Sequence, residues 1–154
     1  DMMVDDGKQG TLLALFFVFI ILFFDFGSLS YALIAMVPVF FGMIWMSGLM
    51  QLFNMQLNLM NIMTIPLIIG IGIDDGVHVM HRYKLSPNID EVFSSTGRAI
   101  LLTSLTTMLG FGSLSFATMR GLGSMGLSLF LGTAACFITT LLIIPPIIKL
   151  FKIK

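Results

Sequence analysis

Two adjacent carboxylates and two imidazoles lie within residues 70–81, Gly-Ile-Gly-Ile-Asp-Asp-Gly-Val-His-Val-Met-His, inside a stretch that is otherwise apolar from residue 62 onward. An ionised side chain at the centre of a bilayer costs about 2.5–3.5 kcal/mol on insertion scales, so such a group faces a bundle interior or a wet cavity. Asp74 and Asp75 are therefore expected to face the interior and to bind and release a proton, the step a proton-coupled machine needs. Gly70, Asp74, His78 and His81 follow i, i+4, i+8 and i+11, which holds them on one face of a helix, with Asp75 turned about 100° away. His78 is a candidate relay partner one turn from Asp74, whereas His81 beside Arg82 reads as facing lipid headgroups. Gly70, Gly72 and Gly76 remove side chains around the acids, so a neighbouring helix can approach closely there. The alternative is that the two Asp bond Ser or Thr hydroxyls and only hold helices in register.

A hydroxylated partner face lies further along the chain, at residues 99–112. Thr103 and Thr107 are one turn apart, and Thr106 leads to Gly110. Such a face can satisfy a carboxyl on a neighbouring helix. The same hydroxyls can instead bond back to their own helix carbonyls. Residues 121–126 with Ser128, Gly132 and Ala135 form a small-residue stripe suited to close packing, and Cys136, the single cysteine, reads as a small packing residue.

The elements that must position these groups are set by composition. Apolar residues make up 57% of the 154 and charged residues 10%, against roughly a quarter charged in a soluble domain. A soluble fold of this length could not cover so much hydrocarbon, and the mean hydropathy of +1.03 says the same. The pattern predicts an all-α, polytopic membrane bundle of five helices, spanning about 9–25, 29–50, 62–80, 98–118 and 121–148. The first is slightly short of the roughly 20 residues a span needs and must borrow a turn from its flank. Pro38 should bend the second span, and Pro145-Pro146 should kink or end the last. Residues 92–98, preceded by candidate caps Ser86 and Asn88, read as a short cytoplasmic helix lying on the membrane.

Five spans put the termini on opposite faces. Arg82, Lys84, Arg98, Lys149, Lys152 and Lys154 collect on one, against Lys8 and Arg120 on the other. By the positive-inside rule the first face, with the C-terminus, is cytoplasmic, and residues 51–61 are outside. Formal net charge is zero, so nothing points to nucleic acid. The opening Asp1 and the absence of a signal-peptide pattern suggest a piece of a longer protein. No Walker loop, CxxC, HExxH or Gly-x-Ser-x-Gly element occurs, so ATP hydrolysis and hydrolase chemistry have no anchor and the chain is not expected to be an enzyme.

The residues 70–83 ending Met-His-Arg-Tyr, then 95–111, Ser-Thr-Gly-Arg-Ala-Ile-Leu-Leu-Thr-Ser-Leu-Thr-Thr-Met-Leu-Gly-Phe, then 120–126, Arg-Gly-Leu-Gly-Ser-Met-Gly, resemble the resistance-nodulation-division (RND) transporter superfamily. The likeness is greatest to its large-membrane-protein (MMPL) and Patched-like branch, which includes lipid and hopanoid exporters. The resemblance covers nearly the whole chain. It implies helices two to six of one six-helix half, most like the C-terminal half, within residues 1–154. The first helix, an extracytoplasmic domain and the N-terminal half would lie elsewhere in the protein. It also implies that Asp74 and Asp75 occupy the proton-relay position and that Thr103, Thr106 and Thr107 form the supporting face of the next helix. Many relatives carry Asp-Tyr where this chain has Asp74-Asp75. The implied function is a proton-driven exporter of lipids or other hydrophobic molecules in the inner (plasma) membrane. It would need no cofactor beyond the proton-motive force, and oligomers are possible partners. Two other functions fit the same residues: a sterol-sensing-like domain that binds lipid without transport, and a protein-translocation accessory subunit of the same superfamily.

Overall fold

A computed structural model describes residues 2–55 and 58–151, and within them the chain is helical with no strand. Lys152 and Lys154 of the basic group, and Gln56 and Leu57 of the turn at 51–61, lie outside the described residues. Among the described residues, five helices are long and apolar enough to cross a membrane: α1 Met2–Phe26, α2 Leu29–Leu52, α3 Leu59–Leu85, α4 Ile89–Ser113 and α5 Arg120–Phe151. The protein is a multi-pass membrane protein.

Local chemistry explains where the helices start and stop. α1 ends because Gly27 takes a left-handed conformation, φ +62°, and its N–H donates to the Phe23 carbonyl at 2.9 Å, a glycine C-cap that few other residues could form without strain. Asn58 caps α3 by accepting from the Asn61 N–H at 2.9 Å. Asn88 caps α4 by accepting from the Asp90 N–H at 3.1 Å, with Asp90 and Glu91 in the first turn, where the helix dipole favours acids.

One expectation about the helices needs correction, and of the two outcomes expected at Pro145-Pro146, a kink or an end, the end does not occur. Residues 92–98 are not a separate interfacial helix but the opening turns of α4. Charge stops at Arg98, yet nothing there breaks the backbone, so one helix carries both the polar and the apolar part. Pro145 and Pro146 do not end α5, which continues to Phe151. A proline keeps a helical φ, and in a membrane bundle neighbours tolerate the ladder bonds it removes. α2 likewise runs through Pro38 unbroken.

α5 is the axis of the bundle, packing against α2, α3 and α4, whereas α1 leans only on α2 and α3. α1 accordingly turns Leu12, Phe16, Phe17, Ile21 and Phe24 outward, the surface expected of a helix set against lipid. The centre is fastened by glycines. A Cβ on Gly42 of α2 or Gly72 of α3 would run into Cys136 Sγ of α5, and one on Gly76 would run into the Ala35 carbonyl oxygen of α2. Cys136 is fully buried where the three helices meet. Gly70 differs from its expected role: the space beside it is open, because it lines a cavity between α3, α4 and α5.

Polar ties close the two ends. Near one, Asn61 is buried, and its Oδ1 accepts from Ser124 Oγ at 2.9 Å and Ser128 Oγ at 3.3 Å, so part of the small-residue stripe of α5 is a polar clasp on α3. At the other, His81 Nε2 lies 2.6 Å from Asp25 Oδ2, Lys84 Nζ donates to the Phe26 carbonyl at 2.8 Å, and Arg82 pairs with Glu91 at 3.1 Å. His81 and Arg82 thus join α3 to α1 and α4 rather than standing free at the surface.

Candidate functional site

Asp75 is the buried acid of the pair. Only 7% of it is exposed, and the Ser104 hydroxyl of α4, itself buried, donates to both carboxylate oxygens, at 3.1 and 3.0 Å. The approach depends on α3 lying tight against α2 at Gly76 and against α5 at Gly72, which puts Asp75, between those glycines, on the inner face. Ionised, the carboxylate only accepts and the Ser104 O–H points to it; protonated, it gains a donor of its own while the hydroxyl remains able to give or receive. The pair suits a group that changes protonation state without losing its bond.

A cavity of about 400 Å³ opens beside this pair between α3, α4 and α5, with Asp74, Asp75, Thr103, Ser104, Thr107 and Thr133 among its walls. Asp74 reaches the cavity from its rim: it is exposed, not interior as the sequence led us to expect. The helical step of about 100° decides this, since only one of two neighbouring residues can face the core. His78, on the Asp74 side of α3, is exposed as well and is not among the lining residues.

The predicted threonine face serves its own helix. Thr103 Oγ1 donates to the carbonyls of Ala99 and Ile100 at 3.1 and 3.0 Å; Thr106 and Thr107 both donate to the Thr103 carbonyl, at 2.9 and 2.8 Å. Thr103 and Thr107 line the cavity and Thr106 does not. The hydroxyl that holds the acid is the neighbouring Ser104, which sequence reasoning missed. Its signal was present: Ile100, Ser104 and Met108 form the buried i, i+4, i+8 stripe of α4, and Ser104 is the polar residue in that stripe.

Over residues 1–154 the chain matches the family "Protein export membrane protein SecD/SecF, C-terminal". The chain belongs to that family. A Methanocaldococcus jannaschii protein named as membrane protein MJ1562 is 29% identical over 156 residues, covering 96% of this chain and 40% of that protein. The hopanoid transporter HpnN of Rhodopseudomonas palustris is 29% identical over 126 residues, covering 82% of this chain and 14% of that transporter. The chain thus spans less than half the length of either relative. No solved structure matches it. Together these support an RND-type membrane domain.

Ser104→Ala should lower the thermal stability of the complete protein in detergent by the equivalent of about 1–2 kcal/mol, because it strips a buried acceptor of its donor. Thr106→Ala should be within about 0.5 kcal/mol of wild type. Equal effects of the two substitutions would mean that the Asp75–Ser104 bond does not hold α3 to α4.

Proposed function

We propose that this domain is the ion-coupling membrane part of a proton-driven secondary transporter that exports lipids or other hydrophobic molecules. The observation that supports this most is Asp75, a carboxyl group held in the interior of a membrane bundle by the Ser104 hydroxyl and bordering a cavity that Asp74, Thr103, Thr107 and Thr133 also line. Asp74, at the rim of the same cavity, is the group through which the site exchanges protons with its surroundings. A charge crossing 100 mV yields about 2.3 kcal/mol, so one or two protons per cycle suffice to bias a conformational swing. No cofactor is needed and no enzymatic step is involved. The lipid substrate class rests on the likeness to HpnN, named as a hopanoid transporter.

An exposed acid at membrane depth would meet hydrocarbon unless its face is covered. The α3–α4 face carrying Asp74 and Thr103 is therefore taken to pack against another half of the same protein or a second copy, with an extracytoplasmic domain beyond. A second reading keeps the coupling but changes the cargo. The SecD/SecF family match favours a subunit that uses protons to assist protein export. The sterol-sensing alternative has no such observation behind it.

Asp74→Asn and Asp75→Asn, each made in the complete protein, should leave membrane abundance near wild type, because an amide costs less to bury than a carboxylate. Substrate efflux driven by an imposed proton gradient in proteoliposomes should fall to background in both. Near-normal efflux by both variants and by the double variant would remove the proton-relay role. A protein-export assay run beside lipid efflux separates the two cargo readings: lipid efflux lost with export intact supports the first, and the converse supports the second.

For orientation we take the end bearing Arg82, Lys84, Arg98 and Lys149 as cytoplasmic, in the inner (plasma) membrane. A cysteine at position 54 should be labelled by an impermeant thiol reagent added outside, and one at position 84 should not. The opposite pattern would invert the topology.

A further inference from the structure

Hydroxyls on the membrane helices mostly spend their proton on their own backbone. On α5, Ser128 Oγ donates to the Ser124 carbonyl at 2.9 Å, Thr139 Oγ1 to the Ala135 carbonyl at 2.7 Å, and Thr140 Oγ1 to the Cys136 carbonyl at 3.0 Å. Thr133, on the same helix, does not. It is 4% exposed, and among the described residues its Oγ1 is the buried side-chain oxygen without a hydrogen-bond partner. It lies in the wall of the cavity that Asp75 and Ser104 also line. An unsatisfied hydroxyl buried in protein costs about 1–3 kcal/mol, so a residue that shares a cavity wall with Asp75 and Ser104 is the place to look for a bound water.

We propose that Thr133 anchors a water molecule between α5 and the Asp75 carboxyl, and that Thr133 is thereby a positioning residue for the proton step. This rests on the reading of Asp75 as the proton carrier. A cavity water needs two to four polar partners and room for about one probe sphere. Asp75, Ser104 and Thr133 line one cavity and are the polar groups proposed for the first, and about 400 Å³ supplies the second. The chemistry of a hydroxyl fits both states of the acid. When Asp75 is ionised, Thr133 donates to the water and the water donates to the carboxylate. When Asp75 is protonated, its O–H donates to the water and the water donates to Thr133 Oγ1. The bonds reverse in direction and none is lost; a methyl group in place of the hydroxyl could do neither. The tie also brings α5, the axis of the bundle, into contact with the group that changes charge. α3 and α4 already meet that group through Ser104.

The test uses two substitutions that separate hydroxyl from packing. Thr133→Val keeps the branched shape and loses the hydroxyl; Thr133→Ser keeps the hydroxyl and loses the methyl. In the complete protein, Thr133→Val should slow proton-gradient-driven efflux about tenfold at unchanged membrane abundance, and Thr133→Ser should stay within about twofold of wild type. A map of the complete protein in nanodiscs, at a resolution that shows waters, should place a water on Thr133 Oγ1 in the wild type and in Thr133→Ser, and none in Thr133→Val. Normal efflux by Thr133→Val with impaired efflux by Thr133→Ser would make Thr133 a packing residue and overturn the proposal, as would a map with no water at Thr133 in the wild type. Should the wild type show no gradient-driven transport, the transport reading falls and the map alone decides the water site.

Discussion

A carboxyl group cannot sit inside a membrane bundle without a donor, and the way this chain supplies one to Asp75 constrains the placement of its helices. The donor is on α4, so α4 must cross α3 at Ser104. Asp75 can turn inward only if the residues on either side of it in the helix permit close contact, and those are Gly72 and Gly76. Their partners, Cys136 of α5 and Ala35 of α2, are small for the same reason. A larger side chain at any of these positions would push a helix outward and open the buried carboxyl to lipid. Overpacking of that kind typically costs about 1–3 kcal/mol, comparable with what the Ser104 bond contributes.

Uncharged runs, turn residues and caps showed in the sequence where the membrane helices lie, because hydropathy and capping are local. The site was legible to one residue's resolution and no finer. The periodicity of α3 separates Asp74 from Asp75 but does not say which of them meets the core, because Gly70 on one stripe and Gly72 and Gly76 on another are equally small. Ser104 was overlooked in favour of Thr103, Thr106 and Thr107, a denser hydroxyl cluster whose members satisfy their own backbone. Choosing between a hydroxyl that serves its helix and one that serves a neighbour depends on side-chain rotation and helix crossing, neither of which is written in spacing. The join of residues 92–98 to α4 was hidden for a different reason. Polarity changes at Arg98 while helix propensity does not.

Three features divide the work of the site. Asp75 is buried with its carboxylate oxygens held by the Ser104 hydroxyl. Asp74 stands exposed in the wall of the same cavity. The clasp of His81 on Asp25 and of Arg82 on Glu91 fixes one end of α3 against α1 and α4, and Asn61 with Ser124 and Ser128 fixes α3 to α5 near its other end. Under the proposed relay, α3, held at both ends and closely packed at its centre, would carry a change at Asp75 to α5 as a rigid-body shift.

Protonation of Asp75 itself is what everything else in this mechanism presupposes. Infrared difference spectroscopy of the complete protein in lipid bilayers, recorded across a pH titration, observes it directly through the stretching band of a protonated carboxyl. The expected result is a band that titrates reversibly, persists in Asp25→Asn and vanishes in Asp75→Asn. A set of carboxyl bands left unchanged by Asp75→Asn over the whole titration would contradict a proton-carrying role for Asp75.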